Sequence, residues 1–237
     1  MSKITMLGRE DEDALSKNIA LLDLIFYVIL PLICWNGLRE FIGDYYAMLT
    51  SSVPAILYSL YRFYEVKKIN ITGLYIIFTL IIGTLIDVLA GSSIQLLWNN
   101  VYFSIVICVF FLLTILVRRP MALYFGLDFV ELRGQDRTFS KHLFYQKSVL
   151  RIFQIVTLLF AIRSGLIATI KAWLIVEYGV EAFDKGVLIR QIISWGITGF
   201  IVISYYYIGK IINDNPTLVN QVEKELYGES EKIGKEL

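Results

Sequence analysis

Charged side chains are scarce in this chain. Only 18% of its 237 residues are Asp, Glu, Lys or Arg, whereas soluble domains carry about a quarter. Apolar residues account for 57% of the positions. A soluble fold of this size cannot bury that much apolar surface, so the composition indicates a membrane protein.

Other shortages exclude further classes of protein. The single histidine, His142, has no acidic or cysteine neighbours at ligand spacing, so no metal site is expected. The net charge of +1 lacks the basic excess that a nucleic-acid partner requires. Cys34 and Cys108 both lie in apolar runs and are expected to be buried thiols. Phosphate-binding loops and hydrolase or metalloprotease motifs are missing, so we expect neither an enzyme nor a cofactor.

Six apolar runs are each long enough to cross a bilayer. A hydrocarbon core of ~30 Å needs about 20 apolar residues in a helix. The runs cover residues 19–38, 44–64, 71–90, 99–117, 149–176 and 188–209. We therefore predict an all-α, polytopic membrane protein with six transmembrane helices. Its parts are a cytoplasmic arm at 1–18, a transmembrane domain at 19–209 and a cytoplasmic tail at 210–237.

Lys and Arg residues set the expected orientation, because cytoplasmic segments retain positive charge. With both termini inside, seventeen of the 22 Lys and Arg residues fall in cytoplasmic segments. Only Arg39, Lys185 and Arg190 fall in external loops. The predicted topology is N-in and C-in, in a cell membrane that the chain crosses several times.

The longest cytoplasmic connection covers residues 118–148. Pro120 begins a stretch in which Leu123, Phe125, Leu127 and Phe129 recur, which predicts a short interfacial helix on the inner leaflet. The basic residues that follow it suit anionic lipid headgroups. An ordinary positively charged loop is the alternative.

The tail contains a weak amphipathic pattern. Leu218, Val222 and Leu226 recur every four residues in a helix that starts near Thr217. We expect a solvated, fraying end, and the alternative is a helix that grips a partner or the membrane surface.

Ionisable residues inside apolar runs are the candidate binding site. Each costs roughly 2.5 to 3.5 kcal/mol at a helix centre and therefore needs a partner or water. Arg163, Lys171 and Asp87 are the three residues in such positions. Arg163 and Asp87 lie at similar expected depths, which predicts that they pair. Arg163 either fixes helix packing or binds a ligand, while Asp23, Asp44, Arg62 and Arg190 are expected to be structural residues near run ends.

The order of several segments resembles a known family. The segments are Leu30-Pro31-Leu32, Tyr61-Arg62, the charged turn from Glu65 to Lys68, and Arg118-Arg119-Pro120-Met121 at the end of the fourth run. Together they resemble the bacterial intracellular septation protein A family of small inner-membrane proteins. The family usually has a tryptophan-lysine pair before the fourth helix, where this chain has Trp98-Asn99. The resemblance implies a non-enzymatic protein of the bacterial cytoplasmic membrane that supports cell-envelope synthesis or division.

Two functions stay open at this point. The first is an organiser that acts through membrane protein partners or as a homo-oligomer, in contact with the lipid bilayer and its anionic lipids. The second is a small carrier or lipid-handling protein that binds an anionic solute or headgroup at the intramembrane basic site. No nucleic-acid partner is expected for either.

Overall fold

A computed structural model describes residues 21–66 and 70–233 of the chain. Every regular element in this part is helical, which confirms the all-α class. After a π-helical turn at Ile25–Ile29, the helices are α1 (Leu30–Val66), α2 (Ile71–Val88), α3 (Ser93–Leu116), α4 (Met121–Leu132), α5 (Arg137–Phe144), α6 (Lys147–Tyr178), α7 (Ala182–Asp214) and α8 (Pro216–Ile233). The predicted arm at 1–18 lies outside the described residues.

Several helical segments are long and apolar enough to cross a membrane. They are Leu21–Tyr64, Ile71–Val88, Ser93–Leu116 and Lys147–Asp214. Two of them contain a turn at a glycine in the left-handed region, where a side chain would be strained. Gly43 has φ 78° and lies between the predicted first and second runs. Gly179 has φ 57° and begins a 3-10 turn between α6 and α7.

The described chain forms two compact units. Unit 1 contains the chain up to residue 66 together with Leu80–Asn100 and Ile170–Gln191. Unit 2 contains the residues from 70 to Thr79, then Val101–Thr169, and the chain from Ile192 onward.

In unit 1, the chain folds back on itself at Gly43. The hydroxyl groups of Tyr27 and Ser59 lie 2.8 Å apart across this hairpin. Asp23 accepts a hydrogen bond from Arg62 at 3.1 Å. Both charges therefore have a partner within this hairpin, a pairing that their positions near run ends did not predict.

Arg39 connects the Gly43 turn to the turn before α7, also within unit 1. Its guanidinium contacts Asp44 at 3.3 Å and Glu181 at 2.6 Å. The same group lies 4.6 Å from the ring centre of Trp35, which is fully buried. An aromatic face beside a cation adds to the attraction of the two carboxylates.

The core of unit 2 is formed by helices from the connection and the tail as well as by long helices. Its buried side chains are Ala122, Leu123, Leu127, Leu143, Phe144, Val149, Phe153, Val156, Ile201, Ile208 and Val222. Gly126 permits close packing here, since a Cβ atom at this position would lie 3.0 Å from the Phe153 ring. The hydroxyl of Tyr205 donates to the carbonyl of Ala122 at 2.7 Å.

The connection at 118–148 contains two helices, and its placement at a membrane interface stays a prediction. The predicted helix is present as α4, but Leu123 and Leu127 contact the protein core instead of facing outward. Phe129 is 52% exposed. α5 follows, with Asp136 accepting hydrogen bonds from the first-turn amides of the helix. Its eight residues have no long apolar run, so the sequence pattern did not predict it.

The expectation of a solvated tail is wrong for the described part of α8. α8 packs against α5, and Val222 is completely buried in the unit 2 core. Leu226 packs against the same core. The side chain of Leu218 lies outside the described residues. The apolar pattern alone predicted the helix, but not the surface that receives it.

Asp128 in α4 connects three helices of unit 2. Its side chain is 2% exposed and accepts hydrogen bonds from the backbone amide of Thr72 at 2.6 Å and from its hydroxyl at 2.7 Å. Arg137 in α5 donates to the other carboxylate oxygen at 2.8 Å and also contacts Glu131. The carboxylate therefore caps the N-terminus of α2, where negative charge is favourable. Its hydrogen bond raises the pKa of Arg137.

The end of α3 contains the one non-glycine residue with positive φ in the part of the chain that the structure describes. Arg118 has φ 57°. The amide of Arg119 donates to the carbonyl of Thr114 at 2.9 Å, and that of Arg118 to Ile115 at 3.0 Å. This pair of bonds is a Schellman motif, whose left-handed position is usually glycine. A non-glycine residue there costs about 1 to 2 kcal/mol.

We expect Asp128→Asn to destabilise the protein by about 1.5 to 3 kcal/mol, because Arg137 and the α2 amide lose a charged acceptor. The measurement is thermal unfolding of the purified protein in detergent. Glu223→Gln is the matched control, since Glu223 is exposed on α8. Equal melting temperatures for the two variants would show that Asp128 does not hold these helices.

Candidate functional site

Asp87 and Lys171 lie in one polar cluster in unit 1, together with Asn100. The side-chain amide of Asn100 donates to a carboxylate oxygen of Asp87 at 2.6 Å. The ammonium of Lys171 donates to the amide oxygen of Asn100 at 3.5 Å. Asn100 therefore bridges the acid and the base, using a donor toward one and an acceptor toward the other.

Arg190 completes this cluster. It is close enough to interact electrostatically with both Asp87 and Lys171. The 3-10 turn at Gly179–Glu181 explains why the two cations meet. Lys171 lies seven residues before the end of α6 and Arg190 eight residues after the start of α7, so both are about 10 to 12 Å from the turn.

The cluster has one more positive than negative charge. Two cations face one carboxylate, and Asp87 is the next-to-last residue of α2. A carboxylate there lies at the negative end of the helix dipole, where it is unfavourable without nearby cations. Other polar groups satisfy this helix end, since Tyr45 donates to the carbonyl of Val88 at 2.7 Å. The arrangement can hold an anion or exchange protons.

Arg163 lies in unit 2 with a different partner. One terminal nitrogen donates to the hydroxyl of Ser194 at 2.8 Å. The Nε atom is buried and has no hydrogen-bond partner among the described residues. Its surroundings include Tyr75, whose ring packs 5.5 Å from that of Phe125 and 5.8 Å from that of Phe111. The Arg163 guanidinium is therefore partly removed from water, and the hydrogen-bond partner that it has gained, Ser194, is uncharged.

The structure therefore brings together two of the three candidate residues, Asp87 and Lys171. Arg163 belongs to the other unit, and its pairing with Asp87 stays a prediction. Sequence reasoning missed Asn100 as a partner in the cluster and Ser194 as the acceptor for Arg163. It also treated Arg190 as a residue near a helix end.

Misplaced helix starts explain two of these omissions. The fourth run was expected to begin at residue 99, but α3 begins at Ser93, so Asn100 is two turns inside the helix. The sixth run was expected to begin at residue 188, but α7 begins at Ala182 and Arg190 is likewise two turns inside. The polar residues in the first turns of α3 and α7 give these segments a composition typical of loops. Extending the fourth run backwards to its nearest glycine, Gly91, would have placed Asn100 correctly. The same rule fails for Arg190, because the nearest glycine before residue 188 is Gly186, which lies inside α7.

Among residues 21–66 and 70–233, the structure contains no group of three or more His, Cys, Asp or Glu side chains that could hold a metal ion. Cys34 and Cys108 are free thiols. They are partly rather than fully buried.

A double-mutant cycle tests the cluster. Asp87→Asn should leave two cations uncompensated. It should therefore lower the unfolding free energy more in the wild-type protein than in a protein that already carries Lys171→Gln. Membrane polar contacts give coupling energies of ~0.6 to 1.7 kcal/mol, so the unfolding free energy in detergent must be measured to that precision. Additive losses would contradict the cluster. The same cycle with Arg163→Met in place of Lys171→Gln tests the predicted pair of Arg163 and Asp87.

Comparison with known proteins identifies no relative for this arrangement. No family model, no curated protein and no solved structure matches the chain. The resemblance to septation proteins therefore stays an expectation from the sequence.

Proposed function

We propose that this chain is a non-enzymatic, multi-pass protein of the bacterial cytoplasmic membrane that supports cell-envelope synthesis or division by binding partner proteins. The proposal combines the sequence resemblance with one structural observation. Helices that are too short or too polar to span a bilayer, α4, α5 and α8, share a core with the long helices of unit 2. A packed layer of this kind is a suitable base for docking.

The outer face of α8 supplies the docking surface in this proposal. Thr217, Asn220, Gln221 and Lys224 line a groove of about 470 Å³. Val222 on the opposite face of the helix is fully buried, so α8 is held from beneath while its polar face remains exposed. A partner that binds a surface already ordered loses little conformational entropy.

The proposed arrangement has six membrane crossings with both termini inside. Gly43 divides the first apolar helical segment into two arms, and the 3-10 turn at Gly179–Glu181 divides the last one. Each part is then long enough for one crossing. The layer of α4, α5 and α8 lies on the cytoplasmic side in this topology, where the basic residues of the connection are favoured.

The charge of the Asp87 cluster favours a second candidate function, a carrier or lipid-handling protein. Lys171 and Arg190 exceed the single carboxylate by one charge, which suits an anionic solute or headgroup. Loss of anion binding in Lys171→Gln, with partner binding at α8 unchanged, would favour this function over the first. Unchanged anion binding together with loss of partner binding at α8 would favour the organiser.

Single cysteines test the topology. In a background with Cys34 and Cys108 replaced by alanine, Ser93→Cys should react with an impermeant thiol reagent in intact cells. Gln135→Cys should react only after the cells are opened, because the connection is placed inside. Gln135 is exposed, so failure to react cannot be attributed to burial. Labelling of Gln135→Cys in intact cells would contradict this topology.

Photo-crosslinking tests the partner surface. A benzophenone side chain at Asn220 or Lys224 should form an adduct in native membranes with a protein of the envelope-synthesis or division machinery, identified by mass spectrometry. Lys185 is the control position, since it is exposed in unit 1. An adduct with a second copy of the chain would indicate a homo-oligomer instead. Equal adducts from Asn220 and Lys185 would contradict the proposed surface.

A further inference from the structure

The connection between α3 and α6 uses its acidic residues internally. Residues 118–151, which are the connection and the start of α6, contain seven Lys and Arg residues but only three acids. Asp128 and Glu131 both contact Arg137, and Asp136 caps the start of α5. The remaining six cations are exposed. They are Arg118, Arg119, Arg133, Lys141, Lys147 and Arg151.

Exposed apolar side chains accompany two of these cations. Leu116 and Val117, next to Arg118, are 76% and 66% exposed. Phe129 and Leu132 precede Arg133 and are also exposed. The guanidinium of Arg133 lies 4.5 Å from the ring centre of Phe129. Apolar groups beside cations are typical of a bilayer interface. There the aromatic and aliphatic side chains enter the acyl region, and the cations reach the lipid phosphates.

The backbone conformation of Arg118 also points to a role for its side chain. The Schellman motif places this residue in the left-handed region, which glycine occupies without strain. Glycine at this position would form the same backbone hydrogen bonds. Arg118 and Arg119 are both exposed and follow the end of a long apolar helix. Strain at such a position points to a role for the side chain.

We propose that Arg118 and Arg119 before α4, together with Phe129, Leu132 and Arg133 at its C-terminal end, bind the headgroups of anionic phospholipids. These five residues are here called the basic surface. The exposed apolar groups favour a lipid over an acidic protein, because they match acyl chains directly beside the phosphates. This inference rests on the membrane placement in the proposed function, not on its partner proteins. Crosslinking at α8 can therefore fail while lipid binding succeeds.

The test uses the full chain in a neutral detergent, with lipid adducts measured by native mass spectrometry. Phosphatidylglycerol should bind more tightly than phosphatidylcholine. Removing one charge near a membrane surface weakens anionic lipid binding about five-fold, so Arg133→Gln and Arg118→Gly should each reduce phosphatidylglycerol binding by about that factor. Lys185→Gln should leave it unchanged, although Lys185 also lies over an aromatic ring, 4.8 Å from the centre of Tyr178.

Arg118→Gly separates lipid binding from folding. Because φ at this position suits glycine, the variant should melt at the same or a higher temperature than the wild type while it binds less phosphatidylglycerol. Equal binding of the two lipids would overturn the proposal, as would variants that bind like Lys185→Gln. Displacement of phosphatidylglycerol by soluble glycerol phosphate would also overturn it, because the site would then recognise free phosphate rather than a lipid.

Discussion

The carboxylate of Asp128 is the contact on which the order of unit 2 depends. It joins the first turn of α2 to α4, and through Arg137 it fixes α5. α8 in turn packs on α5, so the tail is held indirectly by the same group. A buried carboxylate is costly unless it is fully hydrogen-bonded, and here both oxygens have donors. Close packing of Gly126 against Phe153 and the hydrogen bond from Tyr205 to Ala122 then join α6 and α7 to α4.

Several acidic residues of unit 1 have partners within that unit. Asp23 neutralises Arg62 within one hairpin, and Asp44 shares Arg39 with Glu181. Asp87 meets Asn100, with Lys171 and Arg190 nearby. The α3–α6 connection carries a net positive charge of its own, because seven Lys and Arg residues outnumber three acids over residues 118–151.

Long apolar helices could be predicted from the sequence, because residue type alone determines whether a segment can enter lipid. The gap at Gly43, the extents of α2 and α6, and the presence of a helix after Pro120 agree with the sequence patterns to within a few residues. α5 and the docking of α8 could not be predicted, because both depend on surfaces formed by distant residues. The partner of Arg163 was missed for the same reason, because Ser194 acquires its role only from the neighbour that folding brings to it. The partner of Lys171 was missed because the start of α3 was placed too late.

The contact between Arg39 and Glu181 has a consequence for the order of events during synthesis. The two residues are separated by 142 positions, so the hairpin around Gly43 leaves the ribosome long before Glu181 exists. During that interval Asp44, five residues away, is the available counter-ion for Arg39. Unit 1 therefore begins as a self-paired hairpin and is completed only when the residues up to Gln191 have been made. A protein built this way must keep its first hairpin in place while most of the remaining chain is still being translated.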